Sequence, residues 1–376
     1  MKVVLAPDSF KESLSAAEVC DAMSRGVRTV LPDAEIIKLP LADGGEGTVR
    51  TLVAATHGRV ITQTVTGPLG RPVEAEFGIL GDSVTAVIEM ASASGLPLLP
   101  VDERNPLFTT TYGTGEIIKA ALDYHLENII IGIGGSATND GGTGMAQALG
   151  AQFYKNGSAI TGYMTGDLMG EVTRVDVSAL DSRIAQVSIK VMCDVDNPLL
   201  GERGAAHVYG PQKGATPEIV EQLERNMSRI YDLIEPKTRL VRDKPGAGAA
   251  GGLGAGLMAF LDAVLCPGIE AILNFCHFDD QIRDADLIIT GEGKIDAQSA
   301  MGKTIDGVLA HARKFQRPVI AIGGAVYDEA ENLYDKGLLS MFSICNQPMS
   351  LPNALQQSAL LIEKATERVM RVLRGP

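Results

Sequence analysis

Residues 129–144 read IIIGIGGSATNDGGTG. Five apolar or glycine positions, 129–133, run into a segment that holds six glycines between 132 and 144 (Gly132, Gly134, Gly135, Gly141, Gly142, Gly144). Ser136, Thr138, Asn139 and Asp140 lie among them. A short amphipathic pattern, 145–149, follows and stops at Gly150. The order predicts a buried strand, an open loop and a short helix. Glycine lacks a Cβ, so its N–H can approach a ligand closely. A helix start adds unpaired N–H groups and a partial positive charge. Together they predict a site for an anion such as a phosphate.

The rest of the chain repeats that alternation. Apolar runs at 3–6, 36–39, 129–133, 191–193, 287–289, 319–322 and 341–344 each end in glycine, proline or a polar residue. Most are continuous rather than alternating, which suits strands covered on both faces. Helical patterns separate them. Ser15 and Glu18 form a capping box ahead of Val19, Met23, Val27 and Val30, and Asn353 with Gln356 predicts the start of a last helix. The fold class is α/β with a largely parallel sheet. Residues 60–66 and 73–80 read as two strands joined by a turn at 67–70, an antiparallel element. These patterns predict two domains: residues 1–60 with 284–376 form one from both chain ends, and 61–283 form an inserted mixed α/β domain that carries the glycine loop.

Composition narrows the function. The chain has 376 residues and a formal net charge of −13. That charge argues against nucleic acid and against anionic membrane surfaces as partners. No run approaches the roughly 18 apolar residues of a membrane span. Five scattered cysteines without a Cys-x-x-Cys pair predict reduced thiols in a cytoplasmic protein. Five dispersed histidines lack metal-site spacing, so a zinc enzyme is disfavoured. The sequence leaves a homo-oligomer open.

Five polar loops follow predicted strands: 7–12, 42–48, the glycine loop, 193–198 and 290–296. A loop Asp beside Gly is ordinarily a turn former or a helix cap. Five such loops at the ligand-binding face of a parallel sheet point to function instead. The chemistry that suits them is phosphoryl transfer, which needs N–H groups and cations for phosphate oxygens, carboxylates for Mg²⁺, and a carboxylate near the attacking hydroxyl. Lys11, Lys213 and Lys294 are candidate cations. Asp8, Asp43, Asp194, Glu292 and Asp296 are candidate carboxylates. Three near-motifs are set aside. GKT at 302–304 lacks the P-loop's first glycine and predicts a helix start. GAGAAG at 246–251 follows no strand, which disfavours a dehydrogenase and predicts a flexible loop, hinge or lid. Ser9 and Ser136 lack a nucleophile elbow, which disfavours a hydrolase.

Six motifs carry a family resemblance: APDSFKESLSA at 6–16, LADGGEGT at 41–48, GIGGSATNDGGTGMAQALG at 132–150, CDVDNPLLG at 193–201, YGPQKGA at 209–215 and TGEGKID at 290–296. In this order, across almost the whole chain, they resemble bacterial class I glycerate kinases. The resemblance implies ATP-dependent phosphorylation of D-glycerate with Mg²⁺, to 2-phosphoglycerate in the branch it most resembles. It also implies that the domain built from both chain ends is flavodoxin-like. On that basis Gly134, Gly135, Ser136, Asn139, Asp140, Gly141 and Lys213 are expected at the nucleotide phosphates. Ser9, Asp43, Glu292 and Lys294 are expected at the acid. Lys11, Asp194 and Asp8 are expected to be catalytic, with Asp194 and Asp296 at the metal. A 3-kinase, or a sensor that binds nucleotide or a small acid without turnover, stays open from the residues alone.

Overall fold

The computed structural model describes residues 1–42 and 47–374. Asp43, one of the expected acid-binding residues, lies outside them. The chain divides into two compact units: Met1–Asp43, Arg50–Thr56 and Pro267–Pro376 form the first, and Gly44–Val49 and His57–Cys266 the second.

The first unit is built on five strands in the spatial order Leu338–Ser343, Val319–Val326, Leu287–Ile295, Lys2–Pro7, Glu35–Lys38. Every neighbouring pair is parallel. Lys2–Pro7 is buried from Val3 onward, as the unbroken apolar run predicts for a strand covered on both faces. It pairs with Glu35–Lys38 on one side and Leu287–Ile295 on the other, so chain order reverses at this point. Ligands of such sheets bind beyond the carboxyl ends of the strands at that reversal. The predicted capping box forms: Glu18 N donates to Ser15 Oγ (3.4 Å) and Ser15 N to Glu18 Oε2 (2.9 Å). The last helix, Leu351–Arg374, starts two residues ahead of Asn353, because Pro352 suits a first turn whose N–H groups are unpaired anyway.

One expectation is corrected here. Residues 290–296 are largely strand rather than loop, since Leu287–Ile295 continues through them. A Cβ on Gly291 would lie 2.0 Å from Ile322 O, so this glycine serves close strand approach rather than a turn.

The second unit holds a six-stranded sheet in the order Val264–Cys266, Ser188–Met192, Asn128–Gly132, Thr85–Glu89, Pro72–Ile79, Arg59–Thr66. The first four are parallel, and the last two form the predicted antiparallel hairpin. The expected flexible segment at 246–256 is instead buried at every position but Ala250, which is partly buried. Residues 250–252 have φ of 53°, 69° and 86° and pack against the glycine loop. A Cβ on Gly251 would lie 1.9 Å from Thr138 O. Gly251→Ala combines that clash with a left-handed backbone, and is expected to cost more than about 2 kcal/mol of stability. Urea unfolding measures it.

Candidate active site

The glycine loop leaves the carboxyl end of Asn128–Gly132. Only Gly134 and Gly135 within it are exposed, and residues 136–146 are buried. The cause is Asp140. Its fully buried carboxylate accepts from Thr111 N (2.8 Å), Thr111 Oγ1 (2.8 Å), Gly142 N (3.1 Å) and Gly144 N (3.2 Å). Burial pushes this carboxyl above the usual range, and the four donors hold it back. The start of helix Thr143–Ala148 is thus capped by the chain's own carboxylate. The amides expected there for an anion are spent, and Asp140 itself fixes the loop. Gly141 is likewise internal: its N–H donates to Gly251 O (3.1 Å) and its carbonyl accepts from Tyr231 Oη (2.8 Å). Asn139 is buried, with Oδ1 unpartnered. The accessible part of the predicted anion site narrows to Gly134, Gly135 and the edge of Ser136.

Behind that edge lies Lys213. It is 2% exposed, and its Nζ donates to Ser136 Oγ (2.7 Å) and Thr138 O (2.6 Å). Burial pushes its ammonium down to about 7, against the pull of Asp140. Because Ser136 Oγ accepts from Lys213, its own O–H is directed elsewhere, available to a ligand oxygen.

The neighbouring strand ends supply acid. Met192 pairs with Gly132 and leads to Asp194, which is exposed at the same edge of the sheet. Glu89 pairs with Gly132 from the other side and accepts from Val49 N (2.7 Å) and Gly47 N (3.3 Å). Sequence reading missed Glu89, because the strand Thr85–Glu89 is too short to announce itself.

In the first unit, Asp8 and Ser9 follow the first strand. Asp8 Oδ1 accepts from Ser9 N (2.6 Å) and Oδ2 from Thr304 Oγ1 (2.7 Å). GKT at 302–304 does open a helix, Thr304–Lys314, as expected. Asp8, Ser9, Lys11, Glu292, Lys294 and Asp296 all line one cavity of about 710 Å³. Burial pushes the Glu292 carboxyl up to about 7, helped by the charges of Asp8 and Asp296 and opposed by a hydrogen bond from Ser299. Its Oε1 is buried without a partner. Lys11 is exposed at this cavity. Lys294 is engaged by Asp296 (2.8 Å) and lies over the Tyr327 ring.

Among the described residues, no three His, Cys, Asp or Glu side chains are grouped to hold a metal ion. Mg²⁺ does not require such a cage, since it binds through one or two carboxylates, waters and substrate phosphates. Asp194, exposed two residues beyond the strand end that pairs with Gly132, is a candidate for such a carboxylate. Asp296, also expected at the metal, is engaged here: Oδ2 pairs with Lys294 and Oδ1 accepts from Gln298 N (2.9 Å). Among the described residues, no helix is long and apolar enough to cross a membrane.

Two sheets with polar residues clustered at their carboxyl edges, one presenting bare glycines backed by a lysine, agree with what comparison with known proteins finds. Residues 3–374 match the glycerate kinase family. The chain is 51% identical over 370 residues to a glycerate kinase of Bacillus subtilis (strain 168), covering 98% of this chain and 97% of that one. It is 48% identical over 375 residues to a glycerate 2-kinase of Escherichia coli (strain K12), covering 99% and 98%. A crystal structure named for glycerate kinase 2 of Salmonella typhimurium LT2 superposes with a TM-score of 0.92 at 47% identity, covering 100% of this chain and 98% of that one. By fold, by motif order and by about half of its residues shared with named members, the chain belongs to the glycerate kinase family.

Proposed function

We propose that the protein transfers the γ-phosphoryl group of ATP to a hydroxyl of D-glycerate, giving 2-phosphoglycerate. The observation that carries the reading is the exposed Gly134–Gly135 edge with Ser136 and the buried Lys213 behind it. Those groups hold phosphate oxygens. Asp194 holds Mg²⁺, which when bound neutralises charge on the phosphates. Lys11 meets the acid's carboxylate, and Ser9 and Asp8 line its seat. Glu292, with a carboxyl poised near neutral pH, accepts the hydroxyl proton at Oε1. The hydroxyl oxygen bonds to the γ-phosphorus, the bond to the bridging oxygen breaks, and ADP leaves. The 2-position is favoured by the relatives named glycerate 2-kinase and glycerate kinase 2. The two compact units act as the two domains, and the protein works in the cytoplasm with its five cysteines reduced.

³¹P NMR of the product formed from ATP and D-glycerate tests the reading. A resonance split by one proton marks the 2-ester, and one split by two marks the 3-ester. ADP formed equally without glycerate, or none at all, overturns the kinase assignment. Asp194→Asn is nearly isosteric and is expected to shift the Mg²⁺ requirement upward by tenfold or more, with little change in Tm. An unchanged Mg²⁺ titration removes Asp194 from the metal.

A further inference from the structure

The six-stranded sheet of the second unit ends on one side at Arg59–Thr66, which among the described residues pairs only with Pro72–Ile79. Natural sheets guard such edges with short strands, charges, proline or a bulge. The other edges of the two larger sheets carry a guard. Glu35–Lys38 has a charge at each end, Val264–Cys266 is three residues long, and Leu338–Ser343 has a shift in its register. Arg59–Thr66 has eight residues paired without a break, no proline, and no charge after Arg59. Residues 59, 60, 62, 63 and 64 are exposed. Backbone direction decides what the edge offers. Gly67 N donates to Arg71 O, and Thr66 stands opposite Pro72, which has no N–H. The alternation of an antiparallel ladder then turns the backbone groups of odd-numbered residues inward and those of Val60, Thr62, Thr64 and Thr66 outward. Thr66 N agrees, since it donates to Glu116 Oε2 (2.6 Å) rather than to the sheet. The backbone groups of Val60, Thr62 and Thr64 face the open edge.

We propose that this edge pairs antiparallel with the same edge of a second copy of the chain, about a two-fold axis through Gln63. The strand is its own complement: residues 61–65 read Ile-Thr-Gln-Thr-Val, nearly the same in both directions. With Gln63 on the axis, Thr62 faces Thr64 of the partner subunit. Both turn their backbone groups outward, so the two exchange the N–H and C=O bonds of a ladder. Ile61 faces Val65 of the partner subunit on the side that packs against the core, where Ile117 and Ile118 of the helix Tyr112–Leu122 lie. Cross-strand pairs of β-branched residues stabilise a sheet. A two-fold through Thr62 would instead set Ile61 against glutamine and lose the apolar pair. Charge agrees. Arg59 lies over the Tyr124 ring and Glu116 holds Thr66 N, and among the described residues neither has an ion-pair partner. Arg59 shares the face of Ile61, two positions on. In the pairing, Arg59 of the partner subunit arrives opposite position 67, beside Thr66 and its Glu116, and the two-fold makes this contact twice. Such an isologous contact closes on itself as a dimer, and it covers the edge that would otherwise template open-ended growth.

Sedimentation equilibrium of the full chain tests this. The wild type is expected at twice its chain mass of 39.7 kDa. Thr62→Pro removes an outward N–H that the sheet itself does not use, and Gln63→Lys sets two ammonium groups face to face. Both variants should keep the wild-type circular dichroism, sediment toward the single-chain mass, and raise the dimer Kd tenfold or more. Arg59→Glu and Glu116→Lys should each weaken the dimer, and the two together should restore at least part of it. Gln63→Cys reads the register. Opposed residues of a pair without mutual hydrogen bonds stand about 4.5 Å apart at Cα, within the span of a disulfide. With oxidised glutathione this variant should cross-link into a dimer on a non-reducing gel, well above the wild type and above Thr62→Cys. A monomeric wild type overturns the proposal, and so does a dimer that Thr62→Pro and Gln63→Lys both leave intact. Cross-linking through Thr62→Cys but not through Gln63→Cys overturns the axis at Gln63.

Discussion

Replacing Lys213 with methionine is expected to raise the KM for ATP between ten- and a hundredfold, and to abolish a pH dependence of stability that the wild type shows. The first effect follows from two hydrogen bonds, to Ser136 Oγ at 2.7 Å and Thr138 O at 2.6 Å, that set the edge of the glycine loop. Hydrogen bonds from a charged donor contribute roughly 1.5–3 kcal/mol, and each 1.4 kcal/mol is about tenfold in affinity. The second effect follows from burial. The ammonium titrates at about 7 in the folded chain, against about 10.4 for a solvated lysine. Between those values the unfolded chain holds more protons than the native one, so wild-type stability rises with pH across that window. The gain is on the order of a few kcal/mol. Methionine cannot titrate, and the variant's curve lacks the rise. Urea unfolding at pH 7 and pH 9.5 measures the difference. Parallel curves would mean that Lys213 is charged and solvated in the native protein.

Glu292→Gln should lower kcat by roughly 10²–10⁴-fold, the usual contribution of a positioned base, with the KM for ATP nearly unchanged. In the wild type kcat should climb with pH through about 7, where Glu292 loses its proton, and the glutamine variant should lack that limb. Stability moves the other way. The folded pKa lies above the ordinary carboxyl value, so the native chain binds more protons than the unfolded chain between about pH 4.5 and 7. Wild-type stability therefore falls as pH rises through that interval. At pH 8 the neutral glutamine should be the more stable protein, a higher Tm in an enzyme that has lost activity. A variant that keeps its rate would move the base to another carboxylate.

The sequence was most legible where one residue type has one physical job. The unbroken run at 3–6 gave a strand buried on both faces, and Ser15 with Glu18 gave a helix start. The hairpin at 60–80 came from a Gly-Pro turn between two strand-like runs. Less legible was the direction of the polar groups. Asp140 stands in the same glycine-rich string as Ser136, yet one is sealed under four donors and the other reaches the loop's edge. Nothing in local spacing separates them, because the donors to Asp140 include Thr111, nearly thirty positions away. The glycines misled in two places. At 290–296 they permit strands to approach, and at 246–256 they permit the backbone to lie against the glycine loop. Both are contacts with distant segments that a reading in terms of turns cannot see. Glu89 was invisible because its strand is five residues long and its role depends on two amides forty positions away.

The first strand has a long wait. The partner of Lys2–Pro7, Leu287–Ile295, is made some 280 residues after it. The second unit, nearly all of it within 57–266, is complete before that partner exists. During synthesis at about 5–20 residues per second, a β segment apolar from Val3 onward stays without a neighbour on that side for many seconds. Contacts this distant in sequence slow folding. The nascent chain should therefore depend on chaperones chiefly through this strand, and a permuted chain that brings the two strands close together in sequence should lessen that dependence.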